Sequence, residues 1–287
     1  MSQATHTFVI RRILVALDGS PHSLAALEAA VDLAAKMDAE LLGLFVEDTA
    51  LLRLAEIPCA REILYFSAAE VPLTREGMEF RLRAQSEQAR RALQSAAQHA
   101  KVAWSFRTAR GDVTSEVLAA ATGVDLLALG TWGWSLDRGL RTGSTAQEIA
   151  TSSLPVLLLP KHGVPKNVHL FVYYDGSPAA QRGLLAAKAL AGAGLDGVTV
   201  LLGSGNQIDA TVENQLAALH KDLEIRYLRF DSANKMNLLK VLKAEKNGML
   251  VLGSREFLDK LPSLDEFLLE TEMSLLLLGN GSKSGAG

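Results

Sequence analysis

A glycine-rich segment in the middle of the chain has the composition of a loop that binds an anion. Residues 129–145 read L-G-T-W-G-W-S-L-D-R-G-L-R-T-G-S-T. Five of these residues carry the prediction: Gly130, Gly133, Gly143, Ser144 and Thr145. The segment follows an apolar run and leads into a helical pattern, and backbone N–H groups exposed by glycine at a helix N-terminus attract phosphate. The sequence therefore predicts a phosphate-binding loop, and with it a nucleotide ligand.

Two other residues are expected beside this loop. Asp18 follows the first apolar run, and Val46 ends the second. In an open sheet with strand order 3-2-1-4-5, ligands bind beyond the carboxyl ends of strands 1 and 4, where the order reverses. The Asp18 carboxylate can accept hydrogen bonds from an adenine amino group or a ribose hydroxyl. The Val46 backbone can read the adenine edge while its side chain packs on the ring.

The elements that would hold these residues alternate between strand and helix. Five apolar runs in the first half predict strands at residues 13–17, 40–46, 102–107, 126–129 and 156–159. Apolar residues in steps of three or four predict two helices, one through Leu24, Leu27, Val31 and Ala34, the other through Leu82, Ala89, Leu93, Ala96 and Ala100. Apolar strands that alternate with helices predict an open parallel sheet covered on both faces.

The first half of the chain is repeated in the second. Residues 12–26 and residues 169–183 each contain an apolar run, the motif D-G-S-P and an alanine-rich helical pattern. Asp18 and Asp175 mark the copies, 157 residues apart. Serine followed by proline suits a helix N-cap and first turn. We predict two tandem domains, at residues 8–160 and 167–279, joined by a linker at 160–166.

The spacing of the glycines resembles that of a known family. Gly130, Gly133, Gly143 and Ser144 fit the pattern G-x2-G-x9-G-[ST], which is similar to the ATP-binding motif of the universal stress protein family. The resemblance implies a tandem member with the adenine nucleotide alpha hydrolase-like fold. It also implies ATP or a related adenine nucleotide as ligand, with Mg²⁺ as the usual companion of a polyphosphate, and a signalling role in stress adaptation.

The second half departs from that pattern. After Gly253 the chain reads S-R-E-F-L-D-K-L-P-S-L-D-E-F, without the second and third glycines. Its four acidic residues would repel a phosphate. We therefore predict a single nucleotide site, in the first half. For Asp175, capping of the following helix is the better interpretation.

Three functions stay open. The first is a nucleotide-binding regulator with an unidentified protein partner. The second is a slow ATPase, for which the sequence offers no convincing catalytic base, so that an enzyme is less favoured. The third is an interaction module without a nucleotide, in which the glycine loop is only a turn between a strand and a helix.

Composition limits the partners. The net charge of −3 gives no overall attraction for nucleic acid. The longest apolar runs are a few residues, too short to cross a membrane. Cys59 is the single cysteine, which fits a cytoplasmic location, and the six histidines have no metal-ligand spacing.

Two segments concern assembly. The last strand of each half, at residues 156–159 and 275–278, is apolar and falls at a sheet edge that needs cover. We predict that these strands pair within one chain as a pseudo-dimer, as strands of family members pair; a further homodimer stays open. The segment 47–77 is long and contains two prolines. It would cover the nucleotide crevice, meet another subunit, or form a short extra helix packed on the domain.

Overall fold

The computed structural model describes residues 8–63, 70–131, 149, 152–160, 168–191, 197–203, 224–230, 235–244, 248–253 and 264–279. The elements of the first half are β1 (Arg12–Ala16), α1 (Pro21–Met37), β2 (Glu40–Asp48), α2 (Thr49–Leu54), β3 (Arg61–Ile63), β4 (Glu70–Pro72), α3 (Arg75–Ala100), β5 (Trp104–Gly111), α4 (Val113–Ala120), β6 (Leu126–Gly130) and β7 (Val156–Leu159). Those of the second half are β8 (His169–Tyr174), α5 (Pro178–Ala191), β9 (Gly197–Gly203), β10 (Glu224–Phe230), α6 (Lys235–Ala244), β11 (Gly248–Leu252), α7 (Leu264–Thr271) and β12 (Ser274–Leu277).

Ten strands form one continuous sheet. Their order is β10-β9-β8-β11-β12-β7-β6-β1-β2-β5. Within each half the strands are parallel and have the predicted order 3-2-1-4-5, with β1 or β8 as strand 1. The open α/β fold predicted from the alternation of strands and helices is thus confirmed.

The two half-sheets join at their last strands. β7 and β12 pair antiparallel, with Leu276 opposite Leu157 and Leu277 opposite Val156. Both strands are buried along their whole length. The order of strands is the same when read outward from this junction on either side, which agrees with the predicted pairing of the two halves.

Helices cover both faces of the sheet and create two layers of core. One layer contains buried residues of α1, α3 and α5, and the other contains buried residues of α4, α6 and α7. We call these the α1 face and the α4 face. Because successive side chains of a strand point to opposite faces, each strand contributes to both layers, which explains the near-continuous apolar runs.

The buried stripe of α3 differs from the prediction in its middle and at its carboxyl end. Its buried residues are Leu82, Ser86, Ala89, Leu93 and Ala97. Ser86 was not predicted to be buried because it is polar. Its hydroxyl forms a hydrogen bond of 2.8 Å with the Thr108 hydroxyl of β5, which gives the buried polar group a partner. Ala96 and Ala100 are only partly buried, because the stripe continues through Ala97 instead.

The segment between β2 and α3 packs on the first half. Leu52 of α2 and the following Ala55 are buried. β3 and β4 form an antiparallel pair beside it, and Arg75 and Arg81 of α3 form ion pairs with Glu56 and Glu62. These contacts favour the extra-helix interpretation. In the part of the chain that the structure describes, no helix is both long and apolar enough to cross a bilayer.

Candidate functional site at the carboxyl ends of β1, β2 and β6

The structure brings three of the predicted site residues to one edge of the sheet. Ala16, the last residue of β1, pairs with Leu44 of β2, and Asp18 and Val46 each lie two residues beyond that pair along the chain. Val15 pairs with Ala128 of β6, and the same register sets Leu17 beside Gly130. Asp18, Val46 and Gly130 therefore lie around the switch point between β1 and β6, where parallel sheets bind ligands.

Asp18 is held in a tight turn. Its Oδ1 accepts a hydrogen bond of 2.9 Å from the Ser20 N–H, and Gly19 between them has a positive φ of 78°. The Ser20 hydroxyl in turn accepts from the Ser23 N–H at 3.1 Å and caps α1. The carboxylate is partly buried. The turn therefore fixes the position of Asp18 at the mouth of the crevice.

The same turn recurs in the second half. Asp175 Oδ1 accepts from the Ser177 N–H at 3.0 Å, and the Ser177 hydroxyl accepts from the Ala180 N–H at 3.1 Å. Gly176 has a φ of 79°, close to that of Gly19. The D-G-S-P motif thus has a structural role in both halves, whether or not a ligand is bound nearby.

Gly130 has a packing role that the sequence analysis missed. A Cβ on Gly130 would lie 2.7 Å from both the carbonyl carbon and the carbonyl oxygen of His22, in the first turn of α1. Gly253 takes the same place at the end of β11, where a Cβ would overlap the backbone of Ala179 in α5. Each glycine lets a helix approach the fourth strand of its half. The sequence did contain a signal for this packing role. Glycine occurs at both matched positions, 130 and 253, although the second half has no glycine loop.

Val46 lies inside a strand rather than at its end. β2 continues through Glu47 and Asp48, two residues beyond the predicted end. Glu47 pairs in register with Arg110 of β5, and Asp48 Oδ1 caps α2 by accepting from the Ala50 N–H at 2.7 Å. The strand therefore continues through two polar residues, which an apolar pattern does not predict. Val46 itself is partly buried and packs against the core of the α4 face.

A buried charge lies next to Val46. Glu47 is 9% exposed, and its Oε2 accepts a hydrogen bond of 2.7 Å from Nε of Arg110 and lies 2.7 Å from Nη2 of the same guanidinium. Arg110 also lies 3.7 Å from Glu79 of α3. The hydrogen bond and charge of Glu47 raise the pKa of the Arg110 guanidinium, with a smaller contribution from Glu79. The pair ties the end of β2 to β5 and α3.

The remaining predicted site residues lie outside the described residues: Gly133, Gly143, Ser144 and Thr145. Thr131 is the last described residue before them; it is buried, and its N–H donates to the Leu159 carbonyl at 3.0 Å. Among the described residues, no group of three or more histidine, cysteine, aspartate or glutamate side chains could hold a metal ion.

Comparison with known proteins places this fold in a family. The model of the universal stress protein family matches residues 10–160, which is more than half of the chain, and the chain belongs to this family. A universal stress protein from Archaeoglobus fulgidus is similar in structure over 94% of this chain and 98% of its own, with 17% identity and a TM-score of 0.63. At that identity the likeness shows the shared fold.

Two further structures are similar to about half of the chain. A universal stress family protein from Burkholderia pseudomallei is 27% identical over 53% of this chain and 96% of its own, with a TM-score of 0.35. A universal stress protein in complex with cAMP is 20% identical over 53% of this chain and 98% of its own, with a TM-score of 0.36. No curated protein matches the chain significantly.

Proposed function

We propose that this protein binds an adenine nucleotide, ATP or a close relative, at one site in its first half, and acts as a regulator in the stress response. One observation carries the proposal. Asp18 follows the end of β1, Val46 lies on the neighbouring β2 at the same edge of the sheet, and the chain leaves that edge at Gly130 into the segment that contains G-x2-G-x9-G-[ST].

The geometry supports a division of the ligand between the strand ends. The base end would lie by Asp18 and the Val46 backbone, and the polyphosphate, with Mg²⁺, by Gly133, Gly143, Ser144 and Thr145. The partly buried Asp18 carboxylate suits a hydroxyl or amino donor, because such bonds to a charged acceptor are strong. We propose domain limits of 8–160 and 167–279, with the second domain lacking this site, and a cytoplasmic location.

We propose binding rather than rapid turnover. Phosphoryl transfer needs a positioned metal, cationic groups and an oriented nucleophile. At the described strand ends the carboxylate of Asp18 is engaged with the Ser20 N–H. Bound nucleotide could regulate a protein partner only if this protein has two conformations with different affinities for the nucleotide.

The two copies of the D-G-S-P turn supply a matched pair of variants. Asp18→Asn and Asp175→Asn each keep an oxygen for the turn and each remove one charge. We expect calorimetry with Mg·ATP to give one site per chain, at least tenfold weaker in Asp18→Asn and unchanged in Asp175→Asn. A flat titration of the unaltered protein at millimolar nucleotide, or an equal loss in both variants, would overturn the proposal.

A further inference from the structure

The two halves can be compared residue by residue, because their first two strands pair in the same register. Arg12 lies opposite Glu40 in the first half, and His169 lies opposite Gly197 in the second. Both strands are displaced by the same 157 residues that separate the two aspartates. Ala16, two residues before Asp18, therefore occupies the position that Tyr173 occupies in the second half.

On the α4 face, Ala16 presents only a methyl group at the switch point. Its side chain is partly exposed and packs against the core of that face. Its neighbours on the adjoining strands are Leu44, its partner on β2, and Leu129, which the register sets beside it on β6. Both leucines are buried, and the Ala16 methyl group between them is the smallest of the three side chains.

Tyr173 fills the corresponding place in the second half. Its ring points to the same face and is only 5% exposed. Its neighbours are Leu201, its partner on β9, and Leu252, which the register sets beside it on β11. An aromatic side chain buries about 150–250 Å². At this position the second half therefore has a buried ring where the first half has a methyl group.

The opposite side of both switch points is closed by backbone. Gly130 abuts His22 on the α1 face of the first half, and Gly253 abuts Ala179 on the equivalent face of the second. Among the described residues, the face of each switch point that is not closed in this way is the α4 face. In the first half that face presents Ala16, and in the second it presents Tyr173.

We propose that Tyr173 is an internal plug of the second crevice, and that the residue two places before each aspartate decides whether that half of the sheet can admit the flat ring of a ligand. The inference rests on the proposed function in one respect, that the first crevice is the nucleotide crevice. It goes further because it attributes the expected lack of nucleotide binding in the second half to the Tyr173 side chain as well as to the missing glycine loop.

A reporter cysteine tests the plug without any nucleotide. In a Cys59→Ser background, Leu252→Cys puts a thiol at a position that is 0% exposed and next to Tyr173. We expect a small methanethiosulfonate reagent to label it at least tenfold faster when Tyr173→Ala is added. Tyr174→Leu is the control, because Tyr174 points to the α1 face and leucine is the residue at the matched position 17. Equal labelling with and without Tyr173→Ala would overturn the plug.

The reciprocal variant tests the first crevice. Ala16→Tyr copies the second half into the first, and we expect it to weaken Mg·ATP binding at least tenfold, whereas Val9→Tyr, which adds a ring at a position that is 52% exposed, binds as the unaltered protein does. Circular dichroism and the thermal midpoint verify folding of both. Unchanged affinity in Ala16→Tyr would overturn the inference. If the unaltered protein binds no nucleotide, the proposed function fails, and the thiol labelling still decides whether Tyr173 closes the second crevice.

Discussion

Glu47 and Arg110 form a hydrogen-bonded ion pair across β2 and β5, one residue beyond Val46. The carboxylate is almost fully buried, and the guanidinium, whose side chain is 44% exposed, shields it from solvent. The pair fixes the strand that carries the expected adenine contact. It also links that strand to α3, since Arg110 lies near Glu79.

Removal of the arginine should destabilise the fold more than removal of a neighbouring arginine. Arg110→Met would leave the Glu47 carboxylate buried without its cation, and hydrogen bonds to charged groups contribute about 1.5–3 kcal/mol. We expect a lower free energy of unfolding in urea. Arg107→Met, at an exposed position on the same strand, is the control and should change it by less than about 0.5 kcal/mol. Equal effects would contradict the role of the pair.

Both strand-end glycines should be intolerant of a side chain, Gly253 more so than Gly130. In Gly130→Ala and Gly253→Ala the new methyl group meets helix backbone, which cannot rotate away. Overpacking of this kind costs about 1–3 kcal/mol, measurable as a lower thermal midpoint in both variants.

Gly183→Ala is the control for these two variants. Gly183 lies in α5, and a Cβ there would make only ordinary contacts of 3.5 Å or more. Alanine should stabilise the helix by about 0.5–1 kcal/mol. A neutral Gly253→Ala would show that the close approach of α5 is not needed.

The junction between the halves should depend on apolar contact. Leu276→Asp places a charge opposite Leu157 at a position that is 2% exposed. An uncompensated buried charge costs about 3–5 kcal/mol, so we expect early unfolding and rapid proteolysis. Phe80→Asp, at a position that is 74% exposed, is the control and should be nearly neutral. A fully stable Leu276→Asp would mean that the two half-sheets do not rely on this contact.

An exposed cluster on α3 should stabilise the protein at neutral pH and lose this contribution in acid. Hydrogen bonds from Arg90, and then from Arg91, lower the pKa of Glu87 from 4.5 to about 2. A depressed pKa in the folded state gives stability that is present above pH 4.5 and lost as the pH falls towards 2. The free energy of unfolding of Glu87→Gln should therefore be slightly lower than that of the unaltered protein at pH 6. This difference should disappear near pH 2.

The matching control removes the partners of Glu87. In an Arg90→Gln, Arg91→Gln background, Glu87→Gln should show no such pH dependence in urea unfolding. A difference that stays constant between pH 6 and pH 2 in the unaltered background would contradict the assigned cause.

Much of the fold could be predicted because it depends on local pattern. The alternation of apolar strands and helices specified the sheet, and the D-G-S-P motif specified two identical turns at Asp18 and Asp175. Apolar last strands specified the pairing of β7 with β12. The limits of β2 were less predictable, since Glu47 is polar and becomes buried only through Arg110, sixty-three residues away.

For the site, the sequence by itself determined the spacing of the glycines, the position of Asp18 after a strand, and the absence of the glycine loop from the second half. Only the tertiary structure decided that Gly130 makes room for α1, that Glu47 has a cation, and that Tyr173 stands where the first half has Ala16. The physical reason is the range of the forces involved. Turns and strand periods are set by neighbours along the chain, whereas the space around a side chain is set by elements that meet only after the sheet has formed.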